Sequence, residues 1–394
     1  MTRYTTSSAP AGSRYTKHIP LIALCLGYFM VIIDVTIVNV ALPSIAKALN
    51  SGITGLQWVV DGYALTFACL LLSAGNLGDK VGAKAIFLWG LALFTLTSLG
   101  CGASHTLWLL TTFRLLQGAA AALLVPTSLA LINASYENKR EQAKAIGIWA
   151  SIGGIAAASG PLLGAILTTW FGWQAVFFVN VPIGIAAILL TIRYVPNSTS
   201  RTNTQGFDFP GQIMSIISIA ALAFSLIEAG RVGWLSTMII SGFGIFLVTF
   251  IAFLRIEHRA TSPMFPLNFF RSHTFSAAIA IGMILNTGIF GFLFILPLYF
   301  QQIRGYSVLM TGLAILPLLG LSAIASYLGG KMASIAGPRQ PMIVGLPIGA
   351  IGFLIMLIAG EHTPPYFMLI LPLYILCLKR EQELRQVLLM QAVR

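Results

Sequence analysis

Two ionisable residues stand inside otherwise apolar runs of this sequence. Asp34 lies within GYFMVIIDVTIVNVALP, and Arg114 lies within TTFRLLQGAAAALLVP. A charge inside a membrane-spanning helix is costly unless it is neutralised, paired or in contact with water. Asp34 is therefore a candidate proton or cation site, the alternative being a structural acid hydrogen-bonded to a neighbouring helix. Arg114 is expected to pair with an acid or to contact a ligand, the alternative being a side chain that reaches towards the membrane surface.

Small and polar residues accompany these charges at helical spacing. Gln117 and Gly118 follow Arg114 three and four residues later, which places them on the same face of a helix. Farther along, small residues recur on one helical face around a proline that can kink the helix, at Gly153, Ala157, Gly160, Pro161 and Gly164. Such a stripe is most often a packing face, so alone it indicates little about function.

A charged, glycine-rich segment, GNLGDKVGAK, separates the second and third apolar runs. Its glycines predict a tight reversal between two helices, and its charges predict a polar corner at the membrane surface. No GK[ST] follows it and no strand precedes it, so it lacks the pattern of a nucleotide-binding loop. The residues concerned are Gly75, Gly78, Asp79, Lys80, Gly82 and Lys84.

The composition requires a membrane around these elements. Of the 394 residues, 57% are hydrophobic and 9% are charged, whereas a soluble domain is typically about 25% charged. Apolar runs of about 18 or more residues are long enough to cross a bilayer as helices. The sequence predicts an all-α polytopic membrane protein with about twelve spans: 19–42, 56–77, 85–104, 107–132, 144–169, 174–195, 210–229, 235–255, 276–299, 308–330, 340–360 and 366–378.

Lys and Arg residues are distributed unevenly between the predicted loops. With the N-terminus inside, the segments on that side hold fifteen of them as far as Arg339, and the other side holds three. Cytoplasmic loops carry such an excess, so the N-terminus is predicted to be cytoplasmic, and the net charge of +12 is interpreted as an orientation signal. The four cysteines and five histidines lack ligand spacing, so no metal site is predicted.

Polar breaks divide the predicted spans into units. These are a cytoplasmic tail 1–18, a six-helix bundle 19–195, a cytoplasmic linker 196–209, a helix pair 210–255, an incomplete second bundle 256–378 and a charged cytoplasmic tail 379–394. The last apolar run is too short to span comfortably, and six of the sixteen residues after it are charged. A truncated or frame-shifted C-terminal end is therefore expected, with a helical tail on the membrane surface as the alternative.

Four of these features, in this order, resemble the major facilitator superfamily, and most closely its drug:proton antiporters with fourteen helices. The resemblance covers roughly residues 19–378, and the string WQAVFFVNVPIG is also similar to the family's start of helix six. The matching motifs are FMVIIDVTIVNVALP around Asp34, GNLGDKVGAK around Asp79, the fourth-helix motif at Arg114, Gln117 and Gly118, and GPLLGAIL at Gly160, Pro161 and Gly164, with Ala165 where a second glycine is usual.

This resemblance implies two six-helix bundles that rock around a central cavity in alternating access. Asp34 would be a proton-coupling residue, and Arg114 a proton-relay and cavity residue. The segment around Asp79 would help to latch the inward face, and the glycines of the fifth helix would form the interface with the second bundle. By the family's count, the pair 210–255 is an insertion and two helices of the second bundle are absent.

The leading hypothesis is a secondary transporter of the cell inner membrane that exports small amphipathic compounds in exchange for protons. It would use the proton gradient and no cofactor, would not be an enzyme, and would have substrate, protons and lipid as partners, without nucleic acid. A proton-coupled importer of a small metabolite is less favoured, because the spans are mostly Leu, Ile, Ala and Phe. A non-transporting remnant or assembly subunit is a further alternative, suggested by the unfinished second bundle.

Overall fold

The computed structural model describes residues 19–136, 138–197, 208–260 and 267–316, together with residue 347. Every regular element in these ranges is helical. A 3-10 turn, Leu267–Arg271, precedes the tenth helix, a π-helical turn, Tyr299–Ile303, follows it, and residues 308–316 are helical again. The helices are α1 (Ile19–Ala48), α2 (Ile53–Val81), α3 (Ala83–Gly102), α4 (Leu107–Ser135), α5 (Lys139–Phe171), α6 (Ala175–Phe178), α7 (Asn180–Tyr194), α8 (Phe209–Val232), α9 (Thr237–Arg259) and α10 (His273–Leu298).

Nine spans in the described ranges are long and apolar enough to cross a bilayer, with α6 and α7 counting together as one span, Ala175–Tyr194. They coincide with the first nine predicted spans, and the helical residues 308–316 begin the tenth. The all-α polytopic membrane fold is therefore confirmed. The remaining predicted spans and the tails 1–18 and 379–394 lie outside the described residues.

The predicted loop at residues 75–84 is wrong in its extent. α2 continues as a helix through Gly75, Gly78, Asp79 and Lys80 to Val81, and α3 begins at Ala83. The reversal is made by Gly82 alone, which has a φ of 106°, a conformation that favours glycine. A helix satisfies its own backbone hydrogen bonds, so it need not end where its apolar run ends.

α1 lies at the centre of the bundle that α1–α7 form. This helix contacts α5, α7, α4 and α2, while α4 also packs along α2 and α3. Gly27 leaves room on α1 for the Phe87 ring of α3, since a Cβ at this position would lie 2.7 Å from that ring. The side chains of Met30 and Leu24 on α1 are almost completely buried in the same core. This close packing brings the charges of α1 and α4 into one interior.

In the described residues, the helix pair α8–α9 packs against this bundle mainly through α8, which lies along α2. Near one end of α8, Gln212 Nε2 donates to the Cys69 carbonyl at 2.7 Å, and its Oε1 accepts from the Ser73 hydroxyl. Near the other end, Trp58 Nε1 donates to Glu228 Oε1 at 3.0 Å. Polar contacts at both ends therefore hold α8 along α2.

The helices after α9 contact the first bundle near the ends of α1 and α5. Val40 and Ala165 share a buried apolar cluster with Leu296, Phe300 and Ile315. Gln301, in the π-helical turn, donates from Nε2 to the Val40 carbonyl at 3.1 Å. The π-helical turn thus supplies both an aromatic ring and an amide to this contact.

Candidate functional site

α1 and α4 bring the two predicted ionisable residues together. Asp34 is 0% exposed and Arg114 is 1% exposed. Arg114 Nη1 lies 2.5 Å from Asp34 Oδ2, and its Nε donates to the Val59 carbonyl on α2 at 2.9 Å. The guanidinium carbon also lies 4.4 Å from the centre of the Tyr63 ring, within the range of a cation–π contact. The charge of Arg114 is therefore paired, hydrogen-bonded and covered.

Two amide side chains complete the surroundings of the carboxylate. Asp34 Oδ1 accepts from Gln117 Nε2 and from Asn180 Nδ2, both at 3.0 Å. The same two amides donate to the Ser98 hydroxyl oxygen, also at 3.0 Å. Every partner of the carboxylate among the described residues is thus a donor, an arrangement that suits the ionised form of Asp34.

We call Asp34, Ser98, Arg114, Gln117 and Asn180 the polar centre. It joins α1, α3, α4 and α7, so four helices must be in place for it to form. Gln117 connects its members most fully, because its Oε1 also accepts from Arg114 Nη1 at 2.8 Å. A buried network of this kind is stabilising when all members are satisfied and costly when one is lost.

Two buried polar atoms beside the polar centre have no hydrogen-bond partner among the described residues. They are the Tyr63 hydroxyl and Asn180 Oδ1. A buried polar group without a partner is uncommon and is often a place where water or a ligand binds. The polar centre therefore has a spare hydroxyl on α2 and a spare carbonyl oxygen on α7.

The structure decides some of the predictions made for these residues and leaves others open. The prediction that Arg114 pairs with an acid is confirmed, and the alternative of a side chain that reaches the surface is wrong. Asp34 is hydrogen-bonded to neighbouring helices, which leaves its role in proton coupling as a prediction. Gly118 does not contribute a polar group; a Cβ there would lie 2.2 Å from the Tyr63 carbonyl oxygen, so it permits the close approach of α4 to α2.

The charged segment at the end of α2 lies away from the polar centre. Asp79 and Lys80 are exposed, whereas Lys84 donates to the Ile192 carbonyl of α7 at 3.2 Å. Gly78 packs against Thr127 of α4, and a Cβ there would approach its methyl group to 3.0 Å. The segment is therefore a helix end tied to α4 and α7, and its role as a latch stays a prediction.

The glycines of α5 face α1, not the second bundle, in the described part of the chain. A Cβ at Gly153 would meet the Tyr28 ring at 2.4 Å, and a Cβ at Gly164 would meet the Ile37 carbonyl at 2.6 Å. A Cβ at Gly160 would meet Thr36 of the same helix. In the described residues these glycines admit a helix of their own bundle, and the expectation that they form the interface with the second bundle stays a prediction.

The contact between α5 and a later helix uses neighbouring positions. A Cβ at Gly312 would lie 2.5 Å from the Ala165 Cβ and 2.9 Å from the Pro161 carbonyl. Pro161 thus exposes a carbonyl to the helical residues 308–316. Ala165, which stands where a second glycine is usual, takes part in the same contact.

Sequence reasoning missed four polar residues of α2, α3 and α7. Ser98, Asn180 and Tyr63 are neutral, and a neutral polar residue in an apolar run gives a much weaker signal than a charge. Asp61 is different, because it is an acid within the span Ile53–Leu71. The rule that singled out Asp34, an ionisable group inside a membrane span, applies to Asp61 as well and would have found it.

The architecture defines a polytopic membrane protein whose first bundle holds a buried ion pair. A sequence profile of the Major Facilitator Superfamily matches residues 24–378. The chain belongs to the Major Facilitator Superfamily.

Several curated proteins are similar over most of this chain. The methylenomycin A resistance protein of Bacillus subtilis is 38% identical over 352 residues, which cover 89% of this chain and 74% of that protein. The multidrug resistance protein Stp of Mycobacterium tuberculosis is 38% identical over 355 residues, which cover 90% of this chain and 66% of that protein. The chain thus spans about two thirds to three quarters of the length of these relatives.

Solved structures share the fold at low sequence identity. A bacterial homologue of the human lysosomal transporter Spinster has a TM-score of 0.63 at 17% identity, covering 94% of this chain and 75% of its own. The peptide transporter POT has a TM-score of 0.63 at 13% identity, covering 92% of this chain and 80% of its own. These likenesses support the fold.

Proposed function

We propose that the protein exports small amphipathic compounds in exchange for protons by alternating access. The observation that carries the proposal is the buried Arg114–Asp34 pair. The relatives point in the same direction, since their names describe resistance to methylenomycin A and to multiple drugs. In this proposal the protein lies in the cell inner membrane with a cytoplasmic N-terminus and uses no cofactor.

Pairing and protonation exclude each other at Asp34. A proton on the carboxylate would remove the charge that Arg114 contacts and would place an O–H among groups that are themselves donors. The ion pair would then break, and the amides of Gln117 and Asn180 would have to rearrange. Asp34 as the proton-coupling residue and Arg114 as its relay partner therefore give the polar centre two states. A two-state element is what coupling requires.

The proposed movement is a rocking of residues 19–195, the first bundle, against residues 256–378, the second. Val40 and Ala165 of the first bundle pack against Leu296 and Phe300 of α10 and its π-helical turn, so a contact that can open and close lies there. Asp79 at the end of α2 would take part in the latch at the opposite face. The pair 210–255 would follow the first bundle, to which α8 is bonded.

The proton gradient is sufficient for modest accumulation. A proton that moves down a potential of 100 mV supplies about 2.3 kcal/mol, and each pH unit adds about 1.4 kcal/mol. One proton exchanged for one uncharged solute could therefore maintain a gradient of roughly fiftyfold from the potential alone. No catalytic group is needed for such an exchange.

The first test measures ethidium-driven proton movement in proteoliposomes that contain the full chain. Wild-type protein should move protons when ethidium is added, and Asp34→Asn should abolish this movement while ethidium still binds. Asn keeps the size of the side chain but cannot exchange a proton. Unchanged antiport by Asp34→Asn would falsify the assignment of Asp34, and absence of antiport by the wild type would refute the proposed function.

A further inference from the structure

Ser98 fixes the direction of the hydrogen bonds inside the polar centre. Its hydroxyl donates to the Phe177 carbonyl at 3.1 Å, so its single hydrogen is used. The oxygen of Ser98 can therefore only accept, and it accepts from the amides of Gln117 and Asn180 at 3.0 Å each. A carboxamide presents an NH2 group on one side and an oxygen on the other. Both amides must consequently turn their NH2 groups towards Ser98 and Asp34.

The two amides differ in what their oxygens contact. Gln117 Oε1 accepts from Arg114 Nη1 at 2.8 Å and from the Cys101 thiol at 3.6 Å. Turning this amide over would place its NH2 group against the guanidinium, donor against donor. Asn180 is completely buried, and its Oδ1 has no hydrogen-bond partner among the described residues. Asn180 can therefore turn over without breaking a bond of its oxygen, whereas Gln117 cannot.

A proton taken up by Asp34 changes what the carboxylate needs from its neighbours. Oδ2 faces the Arg114 cation, so Oδ1 is the oxygen at which a proton is less opposed. The contacts of Oδ1 are the NH2 groups of Gln117 and Asn180, neither of which can accept the hydrogen of an O–H group. A half-turn of the Asn180 amide exchanges its NH2 group and its oxygen. The turned amide would then offer its oxygen as the acceptor.

The same half-turn would change the bond of Ser98. With the Asn180 oxygen towards it, the Ser98 hydroxyl can donate to that oxygen instead of to the Phe177 carbonyl. Phe177 belongs to α6, Asn180 is the first residue of α7, and both helices pack against α3. The protonation state of Asp34 is therefore linked to the junction of α6 and α7.

Few titratable groups face Asp34 in the described part of the chain. Arg114 of α4 pairs with it, and Tyr63 of α2 and Cys101 of α3 lie close enough to interact with its charge. Asp61 of α2 lies about 200° around the helix from Tyr63. The other helices that contact α1 are α5, α6, α7 and α10, and their titratable residues lie near helix ends. None of the three facing groups bonds to Oδ1, so the two amides are the described groups that must respond to a proton there.

We propose that Asn180 is a positioning residue for the proton step: its amide turns over when Asp34 takes up a proton and supplies the acceptor for the new O–H group. In the unprotonated state the same amide donates to the carboxylate, so one side chain serves both states. Without it, the protonated acid would be buried among donors, which is unfavourable. The inference rests on the proposed function, because it names the residue through which the polar centre changes between its two states.

The first experiment is a difference infrared spectrum of the full chain in lipid, recorded between high and low pH. Asparagine labelled with 13C at the side-chain carbonyl lowers the frequency of its C=O band and so identifies signals from asparagine. The wild type should show a protonated-carboxyl band on acidification, together with a labelled-asparagine signal. Asp34→Asn should remove both, and Asn180→Leu should remove the asparagine signal.

Asn39 provides the matched control on the helix of Asp34. It is also a buried asparagine whose Oδ1 has no partner among the described residues, but its amide donates to the Val35 carbonyl of its own helix. Asn39→Leu should therefore keep both the carboxyl band and the asparagine signal. If Asn39→Leu removes the asparagine signal and Asn180→Leu keeps it, the signal does not come from Asn180 and the inference is overturned.

Ethidium-driven proton movement in proteoliposomes gives a second readout. Leu neither donates nor accepts a hydrogen bond, so Asn180→Leu should slow this movement about tenfold or more. Asn180→Thr carries a hydroxyl that can do both and should recover most of the rate, a rescue that a loss of packing would not give.

Three results would overturn the inference. They are a wild type without the asparagine signal on acidification, Asn180→Leu moving protons as fast as the wild type, and Asn180→Thr being no faster than Asn180→Leu. Failure of the proposed function looks different. Both infrared signals in a wild type that moves no protons would support the inference and refute proton-coupled export.

Discussion

α1 and α2 carry two carboxylates in contrasting surroundings, Asp34 in the polar centre and Asp61 on another face of α2. Asp34 is completely buried and accepts hydrogen bonds from Arg114, Gln117 and Asn180. Asp61 is half-buried and has no such partner among the described residues. Two acids of the same chemical type thus have different consequences for the fold. Asp34 belongs to a hydrogen-bond network that connects four helices, whereas Asp61 connects α2 to no other helix by a hydrogen bond among the described residues.

The comparison shows that burial alone does not indicate which carboxylate is available to bind a ligand. A carboxylate with a full set of donors can change state only if its neighbours move, so it suits the coupling of a proton to a conformational change. A carboxylate without partners can bind an incoming charge with little rearrangement. The first should be sensitive to any substitution in its surroundings, and the second should be tolerant.

The largest expected effect comes from removing the cation of the polar centre. Arg114→Ala leaves Asp34 buried without its ion-pair partner, and breaking a buried pair typically costs about 3–5 kcal/mol. The free energy of unfolding, measured by denaturant titration of the purified protein, should fall by about that amount. The free energy of unfolding of Arg114→Lys should lie between those of the wild type and Arg114→Ala, because Lys keeps the charge but lacks the planar fork of the guanidinium.

A double variant sharpens this result. Asp34→Asn combined with Arg114→Gln removes both charges, so no buried charge is left unpaired, and it should be more stable than Arg114→Ala alone. If Arg114→Ala unfolds at the same denaturant concentration as the wild type, the polar centre does not hold the helices together.

A smaller loss is expected where α5 positions α1 beside the polar centre. Gly160→Ala places a Cβ 2.0 Å from Thr36 Oγ1 and 3.1 Å from the Ile37 backbone nitrogen. Overpacking of this kind costs about 1–3 kcal/mol, and the same titration measures it. Gly154→Ala is the control on the same helix, because a Cβ there meets nothing within 4 Å. Equal stability of the two variants would show that α1 can shift freely.

The smallest effect is expected at Asp61 of α2. Asp61→Asn removes no ion pair or hydrogen bond formed by the described residues, so the free energy of unfolding should change by about 0.5 kcal/mol or less. A loss comparable to that of Arg114→Ala would mean that Asp61 has a structural partner, and the contrast between the two acids would disappear.

The sequence predicted the charges of the polar centre but not its composition. Asp34 and Arg114 stand out because charges are rare in apolar runs, and their mutual pairing follows from the cost of leaving either alone. Ser98 and Asn180 could not be found in this way. Their contribution depends on which helices are neighbours, and a single sequence does not specify that α7 lies against α1.

Helix boundaries show a different limit. The apolar run in α2 predicted where the membrane layer ends, and the glycines and charges after it predicted a loop. The helix continues because its hydrogen bonds do not depend on lipid. For the α5 glycines, the sequence predicted a close contact but not its partner. Among the described residues, Thr36 and Ile37 of α1 are the partners of Gly160 and Gly164.

Gly82 has a mechanical consequence. Its N–H donates to the Gly78 carbonyl at 3.0 Å, and its own carbonyl accepts from the Ile86 N–H at 3.3 Å. One residue therefore completes the hydrogen bonds of α2 and begins those of α3. There is no slack between the two helices, so a tilt of α2 displaces the start of α3 as well. If the bundle rocks, α2 and α3 should therefore move together, with Gly82 as the single residue about which they can bend.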